Sequence, residues 1–327
     1  MTADTTAGEY RTVRQSFQTA LAELFGRDVA ISEPVLLAGG ASKEAWAVDA
    51  DGEPLLVRRA AVGVIHSHTL TLEQEFQVLQ AAHEAGVTVP RPYGYIADLE
   101  GREAFVMERL EGETIGRRIV QKPELAGARE RLPEQLAEEL ARIHAVPGER
   151  LPFLGAAGLD AIVAELRAID EPHPAIELGL RWLDDHPVPE RPSLLAHGDF
   201  RIGNVVVGPD GLVGVLDWEF AHLDTPVRDL AWPLVRAWRF GVDNRRLGGI
   251  GDVDPYLERY NELTGLEVTM DELAWWEVAG NVTWAVGCLT QARRHLNGQD
   301  RSVELAVLGR LAAEVEYEIV HLLEQAA

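Results

Sequence analysis

The stretch from His197 to Trp218 constrains this chain more than any other. It begins His197-Gly198-Asp199-Phe200-Arg201-Ile202-Gly203-Asn204 and ends Leu216-Asp217-Trp218. Between these lie two runs rich in β-branched and apolar residues, Asn204–Val207 and Leu212–Leu216, separated by the turn signal Pro209-Asp210-Gly211. That pattern predicts a small two-stranded ribbon. Asn204 opens the ribbon and Asp217 closes it, so strand pairing itself would bring two oxygen-bearing side chains together. An Asp or Asn in a loop is alone an ordinary turn residue. The ordered set of Asp199, Asn204 and Asp217 asks for a chemical reading.

Phosphoryl transfer suits it. Asp199 and Asn204 have the spacing of the protein-kinase loop H-R-D-L-x-x-x-N. Such transfer needs an oriented acceptor hydroxyl and a cation held against the phosphates. Asp199 can take the hydroxyl proton. Asn204 and Asp217 can hold a hard cation, magnesium (Mg2+), through oxygen. Arg201, two residues after Asp199, can contact the γ-phosphate and stabilise charge in the transition state.

Upstream, Tyr10, Val13, Phe17, Leu21 and Leu24 recur at helical spacing. Short strands follow at Pro34–Leu37, Glu44–Val48 and Leu55–Arg58, the last two joined by Asp51-Gly52. A helix is expected from Thr71 to Ala85, then strands at Tyr93–Ala97 and Ala104–Glu108. Gly39, Gly40 and Ser42 lie between the first strands, where glycines let backbone approach a phosphate and a serine can donate to it. Arg58 or Arg59 can hold the α/β-phosphates, with Arg58 preferred because it follows the apolar residues. Its partner on the helix is Glu75, or alternatively Glu73. Met107, Glu108 and Leu110 lie where the strand ends in an extended connector, with Met107 flanking a base and Glu108 and Leu110 offering main-chain bonds.

From Gly112 onward the sequence reads mostly as helices, including Ala161–Ile169, Ala175–Asp185 and Ser302–Gln325. The expected class is therefore α+β: a β-rich N-lobe with one inserted helix, residues 1–110, and a mainly helical C-lobe, residues 111–327. A ligand is expected at the seam.

These motifs resemble the aminoglycoside phosphotransferase family of kinase-like enzymes, which includes choline, homoserine and macrolide kinases. The resemblance runs from about residue 30 to 235. It is carried by Gly39-Gly40-x-Ser42, Arg58, Glu75, Met107-Glu108, Ala141-Arg142-Ile143-His144, the 197–204 loop, Asp217 and the stretch Asp224-Thr225-Pro226-Val227-Arg228-Asp229-Leu230-Ala231. Arg58 and Arg201 make the chain most similar to the branch associated with acyl-CoA dehydrogenases. The resemblance implies a bilobal protein-kinase-like fold and transfer of the γ-phosphate of ATP, or GTP, to a small hydroxylated molecule. It also implies that His197 supports the loop, and that Asp224 and Asp229 orient the segment after the metal loop, with Asp224 a candidate contact to the acceptor as well. The alternative is a nucleotide-binding pseudokinase with a regulatory role.

The acceptor would be met by the C-terminal helices. Trp232 and Arg236 form one aromatic-basic cluster with Trp238 and Arg239. Glu277, Asn281 and Trp284 share a helical face in another. The formal charge of -23 disfavours nucleic acid and anionic membrane as partners. No apolar run is long enough to span a bilayer, and the first ten residues carry no secretory pattern. Cys288, the single cysteine, permits no intrachain disulfide, so a cytoplasmic location is expected.

Overall fold

The computed structural model describes residues 3–37, 43–61, 69–156 and 158–326, with side chains described from residue 13 onward. It has the bilobal, kinase-like α+β architecture expected. Helix α1 (Ala3–Phe25) packs Phe17 and Leu21 against one face of a five-stranded antiparallel sheet. The sheet contains β1 (Val35–Leu36), β2 (Lys43–Ala50), β3 (Glu53–Ala60), β4 (Pro92–Ile96) and β5 (Ala104–Glu108), in the order β1-β2-β3-β5-β4. Helix α2 (Leu72–Glu84) lies on the other face, buried through Leu72, Glu75, Val78 and Leu79. Thr71 starts it with a reciprocal capping box to Gln74. Gly86, at φ +85°, lies just beyond its C-terminal end.

The β2–β3 register decides which residues reach the cleft. Asp51 and Gly52 both have positive φ, 52° and 89°, the signature of a tight two-residue hairpin. The turn pairs Ala50 with Glu53, and hence Ala45 with Arg58 and Glu44 with Arg59. Arg58 thus lies on the α2 face. Arg59 lies on the α1 face, where it pairs with Glu44 and Glu100 between the rings of Phe17 and Trp46.

The second lobe is built on α4 (Ala126–His144), preceded by the short α3 (Gly116–Gln121). Leu132, Leu136, Leu140 and Ile143 form its buried stripe at helical spacing. Helices α5 (Leu159–Ile169) and α6 (Pro174–Asp185) pack with α9 (Met270–Leu296) and α10 (Val303–Ala326) around a separate core. Helix α8 (Val253–Thr264) lies against α4. Strands β7 (Val205–Gly208) and β8 (Gly211–Val215) form the expected ribbon. A second ribbon pairs β6 (Leu194–Ala196) with β9 (His222–Asp224). Sequence pattern did not suggest it, because three-residue strands leave too short a period to read. Helix α7 (Pro226–Ala231) follows, then irregular turns across 232–252 where helix had been expected. Among the described residues no helix is long and apolar enough to cross a membrane.

The lobes are joined by more than the connector. Buried Glu139 of α4 accepts from the N–H and hydroxyl of Thr88, at 2.8 and 2.7 Å. The Thr88 carbonyl accepts from Val215 N–H at 2.8 Å. Gly214 leaves room for Leu110, since a Cβ there would stand 2.4 Å from the leucine Cδ1.

Candidate active site

The two ribbons bracket the loop that carries Asp199. β6 leads into it, β7 leaves it, and the chain returns through β8 to Asp217 before β9. Phe200 and Ile202 are fully buried, while Asp199 and Arg201 between and beside them keep partial exposure. This alternation anchors the loop and turns its polar side chains outward.

Its backbone is fixed from behind. Buried Asp229 of α7 accepts from the N–H groups of His197 and Gly198, at 2.6 and 3.0 Å. Its Oδ2 also lies 3.4 Å from His144 Nε2. Burial opposes ionisation of Asp229, yet the His144 hydrogen bond and these neighbours hold its pKa at about 2. Gly198 has φ +81°, and a Cβ there would meet Phe220 O at 2.2 Å, so only glycine fits. His197 Nε2 lies 2.9 Å from the Leu216 carbonyl, and its Nδ1 3.2 Å from Asp199 N–H. One neutral tautomer satisfies both bonds: Nε2 donates and Nδ1 accepts. His197 therefore ties the Asp199 loop to the Asp217 segment.

The Asp199 carboxylate receives three side-chain donors. Arg201 Nε and Trp232 Nε1 donate to Oδ1, at 2.9 and 2.7 Å, and Asn204 Nδ2 donates to Oδ2 at 2.5 Å. Burial pushes the Asp199 pKa up despite Arg201 and the Trp232 hydrogen bond. The Arg201 guanidinium carbon lies 4.3 Å from the Trp238 ring centroid.

The ribbon does bring Asn204 and Asp217 to one end: Leu216 N–H donates to Asn204 O at 2.8 Å, extending the ladder past Val205 and Val215. Asp217 sits at φ 67°, a conformation that non-glycine residues seldom adopt outside constrained sites. Arg58 spans the cleft, 3.0 Å from Asp217 Oδ1 and 3.1 Å from Glu75 Oε1. Burial raises the Asp217 pKa, but the charge and hydrogen bond of Arg58 outweigh it and hold the carboxyl below its usual value.

Sequence reasoning missed two members of this cluster. Lys43 pairs with Glu75 and, at 3.0 Å, with Glu219. The hairpin register was the available signal, since it places Lys43 on the same sheet face as Arg58.

The donor set fits a divalent cation of the magnesium type. Both acceptors of the Asn204 amide are oxygens of Asp199. This orients the NH2 toward Asp199 and the amide oxygen away from it. Asp217 adds an ionised carboxylate. Among the described residues no three acidic, histidine or cysteine side chains form a metal cage. Magnesium characteristically takes one or two protein carboxylates and completes its shell with phosphate and water.

Other expected residues divide. Met107 lines a narrow recess with Arg58, Glu75, Leu79, Phe105 and Leu216. Glu108 gives its N–H to Arg91 O at 2.9 Å, so only its carbonyl remains for a ligand, whereas Leu110 N–H has no backbone acceptor among the described residues. Gly39, Gly40 and Ser42 lie outside the described residues. Trp232 touches Asp199 directly. Trp284 reaches the site through Trp238, their ring centroids 4.7 Å apart. Asn281, fully buried one turn before Trp284, donates to Glu277 O and leaves its own Oδ1 without a partner among the described residues.

Three expected acceptor contacts are committed elsewhere. Glu277 is fully buried, with its oxygens on Arg239 and Arg246. Arg236 pairs with Glu318 and Asp243. Asp224 accepts from Arg228 and from Thr225 N–H, both at 2.7 Å. Side chains this long or charged look ligand-facing in sequence, but each found an internal partner.

A two-lobed kinase-like fold with an acidic loop and an Asn/Asp pair at its seam defines a class of phosphotransferase architecture. The chain belongs to the phosphotransferase enzyme family, whose model matches residues 34–276. Acyl-CoA dehydrogenase family member 10 of Mus musculus is 27% identical over 249 residues, covering 68% of this chain and 23% of the relative. The chain thus spans less than a quarter of that protein's length. Among solved structures, a candidate aminoglycoside phosphotransferase from Ralstonia eutropha JMP134 aligns with a TM-score of 0.75 at 19% identity, over 95% of this chain and 98% of its own. The GDP complex of aminoglycoside 2'-phosphotransferase-IIIa aligns with a TM-score of 0.66 at 17% identity, over 92% and 98%.

Proposed function

We propose that this protein transfers the γ-phosphate of ATP or GTP to a hydroxyl of a small molecule, with Asp199 as the base. The observation that carries this reading is the single cluster formed by Asp199, Asn204, Asp217, Arg58 and Glu75, drawn from both lobes. Family membership and a relative with bound GDP support nucleotide use.

The nucleotide lies between the sheet and the second lobe, its base against the connector at Glu108 O and Leu110 N–H. Arg58, held by Glu75, offers a permanent cation to the phosphates, and Lys43 adds a second. Asn204 and Asp217 hold magnesium, which neutralises phosphate charge when bound. Asp199 orients the acceptor hydroxyl and takes its proton, and Arg201 faces the transferred group. Trp238 and Trp284 form the acceptor wall. A flat or carboxylated alcohol suits this aromatic wall beside Arg201 better than a polycation does. Retention of the base and both metal-holding residues favours turnover over a pseudokinase.

Titration with ATP and GTP, with and without magnesium, should raise the melting temperature, and the larger rise identifies the nucleotide. No shift with either would sink the reading. Arg58→Ala should weaken nucleotide binding roughly 10-fold or more, the scale of a lost charge-assisted hydrogen bond. Calorimetric affinity equal to wild type would remove Arg58 from the phosphate site.

A further inference from the structure

Trp232 is an aromatic residue of the cluster whose indole N–H meets a reacting group. It opens the single turn Trp232–Leu234 after α7, far in sequence from the loop it touches. Its Nε1 donates to Asp199 Oδ1 at 2.7 Å, beside Arg201 Nε at 2.9 Å on the same oxygen. Its ring packs 5.8 Å from that of Trp238, the ring that carries the Arg201 guanidinium. One tryptophan thus holds the Arg201–Asp199 pair through an N–H and the other through its face.

We infer that Trp232 is a positioning residue for the base: with Arg201 it fills the accepting directions of Asp199 Oδ1, so that Oδ2 is the atom that takes the acceptor's proton. A carboxylate oxygen has about two lone-pair sites. Oδ1 uses both, whereas Oδ2 receives a single side-chain donor, Asn204. In the transfer, the acceptor O–H bond breaks and its proton goes to Oδ2. The acceptor oxygen bonds to phosphorus, and the bond from phosphorus to the bridging oxygen breaks, with its electron pair leaving on the nucleoside diphosphate. Asp229 of α7 holds the loop's backbone from behind. The positioning role in catalysis rests on Asp199 being the base.

Trp232→Phe keeps the ring and deletes the donor. The expected result is a kcat about tenfold lower, the scale of one lost hydrogen bond, with an unchanged KM for nucleotide. A second readout needs no turnover. In the ligand-free protein at one fixed pH, the Trp232 indole 15N–1H resonance should lie downfield, as a hydrogen bond to a carboxylate requires, and should move upfield in Asp199→Ala. An indole resonance unmoved by Asp199→Ala, or a Trp232→Phe variant with wild-type kcat, overturns the inference. Absence of any transfer by the unsubstituted protein would instead defeat the proposed function, with the indole resonance still deciding the contact.

Discussion

Asp199→Ala should lower acceptor-dependent release of nucleoside diphosphate by about 10²–10⁴-fold, the usual contribution of a general base, while nucleotide affinity stays within a few-fold of wild type. The separation is expected because the groups proposed to meet the phosphates, Arg58 and Lys43, sit on the opposite lobe and are fixed by Glu75 and Glu219. The loop itself should survive, since Phe200, Ile202 and Asp229 anchor it without help from the Asp199 side chain. Calorimetry and a coupled turnover assay on the same preparation check both halves. The pH dependence follows from the same group. Burial raises the Asp199 pKa, and transfer needs the ionised form. The rate should therefore fall as pH drops through a value above that of an ordinary aspartate.

The second large effect is on stability. Asp229→Ala removes a buried acceptor from two backbone N–H groups and from His144. Breaking buried networks of this kind costs about 3–5 kcal/mol, measurable by chemical denaturation. The sign with pH is also fixed. The pKa of Asp229 lies at about 2, below its ordinary 3.8. Its stabilising contribution is complete above the unfolded value and is lost as pH falls through the folded one. Asp229→Asn should flatten that acid-side loss, which for a shift of this size is on the order of 2 kcal/mol. Equal denaturation midpoints for wild type and Asp229→Ala would show that the loop is held by other contacts.

Much of this was legible because two local rules fix the important geometry. A ribbon flanked by Asn204 and Asp217 can close in few ways, and strand alternation separates Arg58 from Arg59. The same rule, carried one step further through the Asp51-Gly52 turn, places Lys43 beside Arg58. What could not be read was long-range. Nothing local pairs the Trp232 indole with Asp199, or Glu277 with Arg239 and Arg246. In each case the partner is chosen by how the irregular turns across 232–252 lay over α9, and those turns have no periodic pattern. The β6–β9 ribbon escaped for a simpler reason, since three residues do not make a readable alternation.

Transfer of a phosphoryl group to an alcohol, with Asp199 as the proton acceptor, can be followed by incubating wild type and Asp199→Ala with γ-labelled nucleotide, magnesium and a library of small hydroxylated molecules, and tracing the label by mass spectrometry. The expected result is a labelled phosphate ester from wild type and essentially none from the variant. Label found only as inorganic phosphate, or equal ester from both proteins, would contradict it.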